Sequence, residues 1–242
     1  MNVQSRVNTD SLAAFKSYID AQATLERRHG AALLPAITIS RECGAGASPV
    51  ANFIADTLNS QRINNGSPPW TIFDRNLVER VLAEHELPKE AARFMPEDVT
   101  PELRTAFEEF LGLHPSSFAL LQFTNETILR LARAGNVIIV GRGGNIVTAG
   151  LPNAVHLRFV APLKYRIREI ERQLGLSRKD ALEHILKVDR ARRRYLKRNF
   201  NAKIDDPLAY HLTINTGRMS LEAAARLIAA GMLNLIERLK KE

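Results

Sequence analysis

The chain has 242 residues, of which 45% are apolar and 25% are charged, enough to bury one sizeable hydrophobic core. No stretch approaches the roughly 18 uninterrupted apolar residues that a membrane span needs. Asp10, Lys16 and Asp20 fall where a signal peptide would have its apolar segment. The single cysteine, Cys43, excludes an internal disulfide framework and a cysteine-built zinc site. We therefore expect a cytoplasmic protein that does not enter a membrane.

The net charge is +8, and its excess lies in one segment. Residues 158–203 contain fifteen Lys or Arg and five Asp or Glu, whereas the rest contains nineteen and twenty-one. Such a segment suits polyphosphate, nucleic acid or an acidic partner, and it also fits a solvated helix face. Tyr195 is the sole aromatic residue in the arginine run, which argues against a stacking platform for nucleic acid.

The chain begins with a pattern typical of an amphipathic helix, which ends at Gly30. We interpret residues 1–35 as a helical extension and residues 36–242 as one domain. Residues 36–40 form a short β-favouring run. A glycine-containing turn follows at residues 41–48, and Pro49 lies at the first turn of the next helix. This is the order strand, phosphate-sized loop, helix.

Further apolar runs predict strands at residues 70–73, 137–140, 155–160 and 212–214, each separated from the next by a helical pattern. Alternation of this kind predicts an α/β fold, a doubly wound parallel sheet with helices on both faces. Ligands of such sheets bind beyond the carboxyl ends of the strands, so the residues just after each run are the candidates for a site.

Two helical segments interrupt this alternation. The segment at about 75–134 is too long for a simple crossover, and it is either an acceptor-binding insertion or ordinary packing. The segment at about 175–203 begins with Ser177 in a capping-box pattern and contains the arginine-rich run. This pattern predicts a basic helix.

The loop Gly44–Ser48 has the small residues that allow successive backbone amides to converge on phosphate. Compared with G-x-x-x-x-G-K-[ST], only Gly46 and Ser48 match, because Arg41 replaces the first glycine and Ala47 replaces the lysine. The alternative interpretation is an ordinary strand-to-helix turn.

Several motifs occur here in the order in which the cytidylate kinase-like family has them, and the chain resembles that family over about residues 36–228. They are Ile37–Gly46, Phe73-Asp74-Arg75, Val140–Gly144, Asp189–Tyr195, Asp206-Pro207 and Ile214-Asn215-Thr216. The resemblance implies a P-loop kinase fold and transfer of the γ-phosphoryl group of ATP, with Mg²⁺, to CMP or a related nucleoside monophosphate. A small residue in place of the P-loop lysine is common in this family. By its resemblance to the corresponding segment of small kinases, the basic helix at about 175–203 is expected to be a lid.

The residue pattern and the resemblance together give the candidate site. The candidates for catalysis are Arg41, Asp74, Arg142, Arg190 and Arg193. The candidates for binding phosphate or nucleotide are Gly44, Ala45, Gly46, Ala47, Ser48, Arg75, Gly141, Gly143 and Asn215, with Ser48 also holding the nucleotide-bound Mg²⁺. An alternative for Asp74 and Arg75 is a helix N-cap beside an exposed arginine.

We expect arginines to supply the charge that the missing lysine would provide, because guanidinium groups stay charged and bind phosphate bidentately. Two other interpretations stay open at this stage. One is a nucleotide-binding regulatory protein without turnover, and the other is a protein that binds nucleic acid through the basic helix.

Overall fold

The computed structural model describes residue 18 and residues 34–60, 68–74 and 117–239. In this part of the chain, five strands form one parallel sheet in the order β2-β3-β1-β4-β5. They are β1 (Ala36–Arg41), β2 (Thr71–Phe73), β3 (Val137–Val140), β4 (Ala154–Val160) and β5 (Leu212–Asn215). β1 lies at the centre and pairs with both β3 and β4. The predicted P-loop type of α/β fold is confirmed.

Helices cover both faces of the sheet. They are α1 (Ala47–Ser60), α2 (Ser117–Ala134), α3 (Gly144–Val147), α4 (Leu163–Leu174), α5 (Arg178–Phe200) and α6 (Leu221–Leu239), with a 3₁₀ turn at Pro207–Ala209. Ile37 and Ile39 of β1 point into a core shared with α1 and α6. Thr38, between them, faces Gly144 of α3 on the other side. The alternation along one strand therefore places the two helical layers.

Helix α1 follows the loop directly. Its apolar residues recur with helical spacing, which favours a helix packed on the sheet. Val50, Ile54 and Leu58 are buried against the sheet, and Ala51 and Ala55 fill the spaces between them. Burying each large side chain contributes about 1.5–3 kcal/mol, so a charged residue at Ile54 would disrupt this layer. The packing fixes the start of α1 at the end of the loop.

The arginine-rich segment forms the 23-residue helix α5. The Ser177 hydroxyl accepts a hydrogen bond from the Asp180 amide, as the capping pattern predicted. The helix ends at Asn201, which adopts a left-handed conformation. Helix α5 packs on α4, and together they lie beyond the carboxyl edge of the sheet.

Of the predicted N-terminal extension up to residue 33, the structure describes Tyr18 alone. Tyr18 is helical and buried, its hydroxyl donates to the Gly135 carbonyl over 2.7 Å, and its ring meets Phe73 edge to face. Of the predicted insertion, α2 is described, while residues 75–116 lie outside the described part. No helix among the described residues has the length and apolar character required to cross a bilayer.

Candidate active site at the sheet edge

Two neighbouring strands, β1 and β3, bring their carboxyl ends together at the centre of the sheet. Arg41 ends β1, and the turn Gly141-Arg142-Gly143 follows β3. The guanidinium of Arg41 lies directly on Gly141, where a Cβ would overlap its Nη1 atom. Gly141 also has φ +91°, a left-handed conformation that favours glycine. Glycine at 141 therefore allows Arg41 to extend along the sheet edge.

The turn after β3 is strained at Arg142. This residue has φ +52°, between two glycines that also have positive φ. A non-glycine residue in this conformation costs of order 1 kcal/mol or more, and such residues cluster at functional sites. The turn is held by hydrogen bonds from the Gly141 amide to Ile39 and from the Gly144 amide to Gly141. The Arg142 guanidinium lies over the Tyr195 ring, 5.7 Å from its centre.

A cavity of about 380 Å³ lies between this edge and α5. Its polar lining includes Ser40, Arg41, Arg142, Arg192 and Tyr195, and its apolar lining includes Val188 and Leu196. This volume is in the range of pockets that bind small molecules. The structure thus gathers three arginines from three separate elements around one cavity.

The arginines of the cavity are poorly solvated and repel one another. Burial, and next the charge of Arg192, lower the pKa of Arg41 to about 10. Burial also lowers the pKa of Arg192, whose Nη1 donates to the Arg41 carbonyl over 3.3 Å. Crowded, desolvated cations bind anions strongly because an anion offsets both penalties. Desolvation and mutual repulsion of these cations therefore favour binding of a multiply charged anion, such as a phosphate, in this cavity.

The loop Gly44–Ser48 lies next to this cavity and is tightly packed. Gly44 and Gly46 have φ +79° and +74°. A Cβ on Gly44 would meet the Arg166 backbone, and one on Gly46 would meet the Leu221 side chain. The Ala45 carbonyl accepts a hydrogen bond from the Thr216 hydroxyl over 2.9 Å. Both glycines are therefore favoured by their positive φ, and Gly44 is also required by its close contact with the Arg166 backbone.

An anionic oxygen already contacts the residue that precedes this loop. The Cys43 amide donates to Asp189 Oδ1 over 2.8 Å, and Asp189 Oδ2 accepts from Arg166 Nη1 over 2.6 Å. Arg166 also contacts the Glu42 carboxylate and donates to the Cys43 carbonyl. Asp189 belongs to α5 and Arg166 to α4, so this buried ion pair fixes both helices on the loop.

The other predicted residues lie in various positions relative to the cavity. Asp74 follows β2 and is exposed, near enough to Arg41 that its carboxylate raises the Arg41 pKa against the effect of burial. Asn215 ends β5, where its side chain accepts from the Gly217 amide. Arg193 faces away from the cavity, with its Nε 3.4 Å from Asp205, and Arg190 is exposed. Arg75 lies outside the described residues.

Arg192, Arg166 and Asp189 were absent from the candidates predicted from the sequence. The signal for Asp189 and Arg192 was the phase of α5, since Ile185, Asp189 and Leu196 are buried at helical spacing and Arg192 falls on the same stripe. Arg166 lies on α4, where that signal does not apply. Among the described residues, no group of three or more His, Cys, Asp or Glu side chains is placed to hold a metal ion.

Comparisons with known proteins agree with this architecture. The sequence profile described as the cytidylate kinase-like family matches residues 36–218. A cytidylate kinase of Ignicoccus hospitalis is 26% identical over 81% of this chain and 98% of its own length. A cytidylate kinase of Methanocaldococcus jannaschii is 21% identical over 65% of this chain and 90% of its own length. A crystal structure of an uncharacterized protein from Eubacterium ventriosum superposes with a TM-score of 0.60, at 17% identity, over 82% and 98% of the two chains.

The parallel sheet, its strand order and the loop before α1 define a nucleotide kinase-like protein of the P-loop type. More particularly, the chain belongs to the cytidylate kinase-like family, whose profile covers about three quarters of it.

Proposed function

We propose that this protein transfers the γ-phosphoryl group of Mg-ATP to CMP or a related nucleoside monophosphate. The observation that carries the proposal is the cavity in which Arg41, Arg142 and Arg192 converge beside the loop. In this reaction an oxygen of the acceptor phosphate attacks the γ-phosphorus, and the bond from that phosphorus to the β-phosphate oxygen breaks. The products are a nucleoside diphosphate and ADP.

The arginines take the place of the lysine that Ala47 replaces. Phosphoryl transfer depends mainly on positioning and on stabilising negative charge, which guanidinium groups can do from the sheet edge and from α5. Arg41 and Arg142 hold the acceptor phosphate from the sheet edge. Arg193 faces away from the cavity and Arg190 is exposed, so they are the proposed contacts to the transferring group in a closed state in which α5 has moved.

The loop and α1 are proposed to bind the donor phosphates. The backbone amides of the loop lie at the positive N-terminal end of the 14-residue helix α1, in residues Gly44, Ala45, Gly46 and Ala47. The amide of Cys43, just before them, already binds a carboxylate oxygen. Ser48 is exposed in the first turn of α1, where its hydroxyl is available to a nucleotide-bound ion. Mg²⁺ would supply charge neutralisation between the phosphates when bound.

A panel of nucleoside monophosphates incubated with Mg-ATP tests the proposal. We expect nucleoside diphosphate to form with CMP or a close relative, measured by direct chromatography of the products. The proposal fails if no monophosphate of the panel is converted by a folded protein that binds ATP.

The second candidate is a nucleotide-binding regulatory protein. The observation that favours it is the pairing of Asp189 with the Cys43 amide and Arg166, because a phosphate bound at that amide would have to compete with the Asp189 carboxylate. Binding of ATP without turnover on any acceptor is the result that this candidate predicts.

A further inference from the structure

Ser40 is a cavity residue whose hydrogen bonding is determined by its neighbours. It precedes Arg41 in β1, is 8% exposed and lines the cavity. Its hydroxyl oxygen lies 3.2 Å from the Tyr210 hydroxyl and 3.2 Å from Arg158 Nη1. A hydroxyl has one proton and two lone pairs, so these contacts decide what it can offer to a ligand.

Tyr210 fixes the direction of the first contact. The Tyr210 hydroxyl is 2.8 Å from the Ile204 carbonyl oxygen, which can only accept. The single Tyr210 proton therefore goes to Ile204. In the contact between the two hydroxyls, Ser40 must then be the donor, and its own proton is used there.

Arg158 fixes the second contact. Its guanidinium is donor only, it is buried, and its other end is held by Asp205 and by the Tyr210 ring. Arg158 therefore donates to one of the two lone pairs of Ser40. One lone pair is left on this cavity-lining residue, with no proton available to accompany it.

We propose that Ser40 is a specificity-determining residue that accepts a hydrogen bond from an N–H or O–H group of the bound acceptor. If the ligand atom facing Ser40 carries no proton, two acceptors face each other and the Ser40 oxygen lacks a donor, which lowers the affinity for that ligand. This inference rests on the proposed function, in which the cavity holds the acceptor. The donor belongs to a base amine, a sugar hydroxyl or a protonated phosphate oxygen.

Calorimetric binding to three ligand pairs distinguishes these sources. CMP against UMP exchanges an amine for a carbonyl, CMP against 2′-deoxy-CMP removes a hydroxyl, and hydrogen phosphate against sulfate removes a protonated oxygen. We expect the wild type to favour the first member of one pair by about tenfold, because loss of a paired polar group is costly. Ser40→Ala should abolish that preference.

Tyr210→Phe provides an independent test. It keeps the ring beneath Arg158 and returns the Ser40 proton to the cavity, so Ser40 can donate as well as accept. The preference should therefore narrow while affinity for the disfavoured ligand rises. Matched controls are Ser60→Ala at the end of α1 and Tyr165→Phe on α4, which should both keep the wild-type ratios.

The inference is overturned if the wild type shows no preference in any pair, or if both Ser40→Ala and Tyr210→Phe leave every ratio unchanged. These measurements do not depend on turnover. If the variants change the affinity ratios but the protein has no kinase activity, the role of Ser40 is supported and the proposed function is contradicted. If the protein is an active kinase but the ratios do not change, the proposed function is supported and the role of Ser40 is contradicted. The melting temperature of each variant confirms folding, and Tyr210→Phe decides alone if Ser40→Ala does not fold.

Discussion

Arg192 and Arg193 are neighbours on α5 with different surroundings. Arg192 is half-buried in the cavity, whereas Arg193 is 56% exposed beside Asp205. We expect Arg192→Ala to weaken CMP binding about tenfold or more, because a charge-assisted hydrogen bond contributes about 1.5–3 kcal/mol. Calorimetry with CMP measures this. Arg178→Ala, on the same helix and exposed, is the control.

Arg193→Ala separates ground-state binding from catalysis. If Arg193 contacts phosphate only when the lid closes, its loss should depress kcat with little change in KM. Initial rates over a range of CMP concentrations give both parameters. An increase in KM at unchanged kcat would show that Arg193 acts in ground-state binding instead.

At this scale the sequence predicted Arg41 and Arg142 as sheet-edge residues because each directly follows an apolar strand. It selected Arg193 and omitted Arg192, because the arginines of α5 cannot be distinguished within a charged run. The decision depends on which stripe of α5 is buried, and that is determined by packing on α4. The roles of Ser40 and Tyr210 depend on a contact across 170 residues of chain, which no local pattern indicates.

At the scale of elements, the Arg166–Asp189 pair fastens α4 and α5 to the loop. Both side chains are 11% exposed, so removal of Asp189 leaves the Arg166 guanidinium with only the more distant Glu42 carboxylate and leaves the Cys43 amide without its acceptor. We expect Asp189→Ala to lower the free energy of unfolding by about 3 kcal/mol, measured by urea denaturation. Glu183→Ala, exposed on the same helix, should change it by less than about 0.5 kcal/mol.

An unchanged stability in Asp189→Ala would show that α5 is held by its apolar contacts alone. The ion pair would then have no part in placing Arg192 at the cavity.

The junction of β4 and β5 makes stability depend on pH. His156 is buried, with Nδ1 2.9 Å from the Thr38 hydroxyl, and its backbone amide donates to His211 Nδ1. Burial, and next the neighbouring His211, lower the pKa of His156 from 6.5 to about 4. Between these values the unfolded chain binds a proton that the folded chain excludes. The free energy of unfolding should therefore keep its full value above about pH 6.5 and fall by on the order of 3 kcal/mol as the pH drops towards 4.

Urea denaturation at pH 7 and pH 5 measures this loss, which should be smaller in His156→Gln. His184→Gln, on α5, is the matched control and should retain the wild-type slope. Equal slopes in wild type and His156→Gln would contradict the assignment.

The strands and α5 were predictable because apolar runs, glycines and the Ser177 cap are local signals. The predicted strand at 212–214 and the observed β5 differ by one residue. Pairing of β1 with β3 and β4 was not predictable, because parallel strands are joined by long crossovers and their neighbours are chosen by packing of the helical layers.

For the whole molecule, strand order explains why the arginines of the candidate site lie together at one edge of the sheet. With β1 central and β3 beside it, Arg41 and Arg142 meet at the middle of the sheet edge, and α5 adds Arg192 from above. A ligand that binds only the folded protein raises the free energy of unfolding by mass action. We expect ATP with Mg²⁺ at 100 times its Kd to add about 2.7 kcal/mol to the free energy of unfolding, measured as a rise in melting temperature. No rise at millimolar nucleotide would count against both nucleotide-binding proposals.

The central claim is that the acceptor phosphate binds among Arg41, Arg142 and Arg192. A crystal structure of the protein with CMP tests it most directly. We predict the phosphate within hydrogen-bond distance of at least two of these guanidinium groups, beneath α5. A phosphate seated on the Gly44–Ser48 loop, or in the groove lined by Arg193, Lys197 and Lys203, would contradict it.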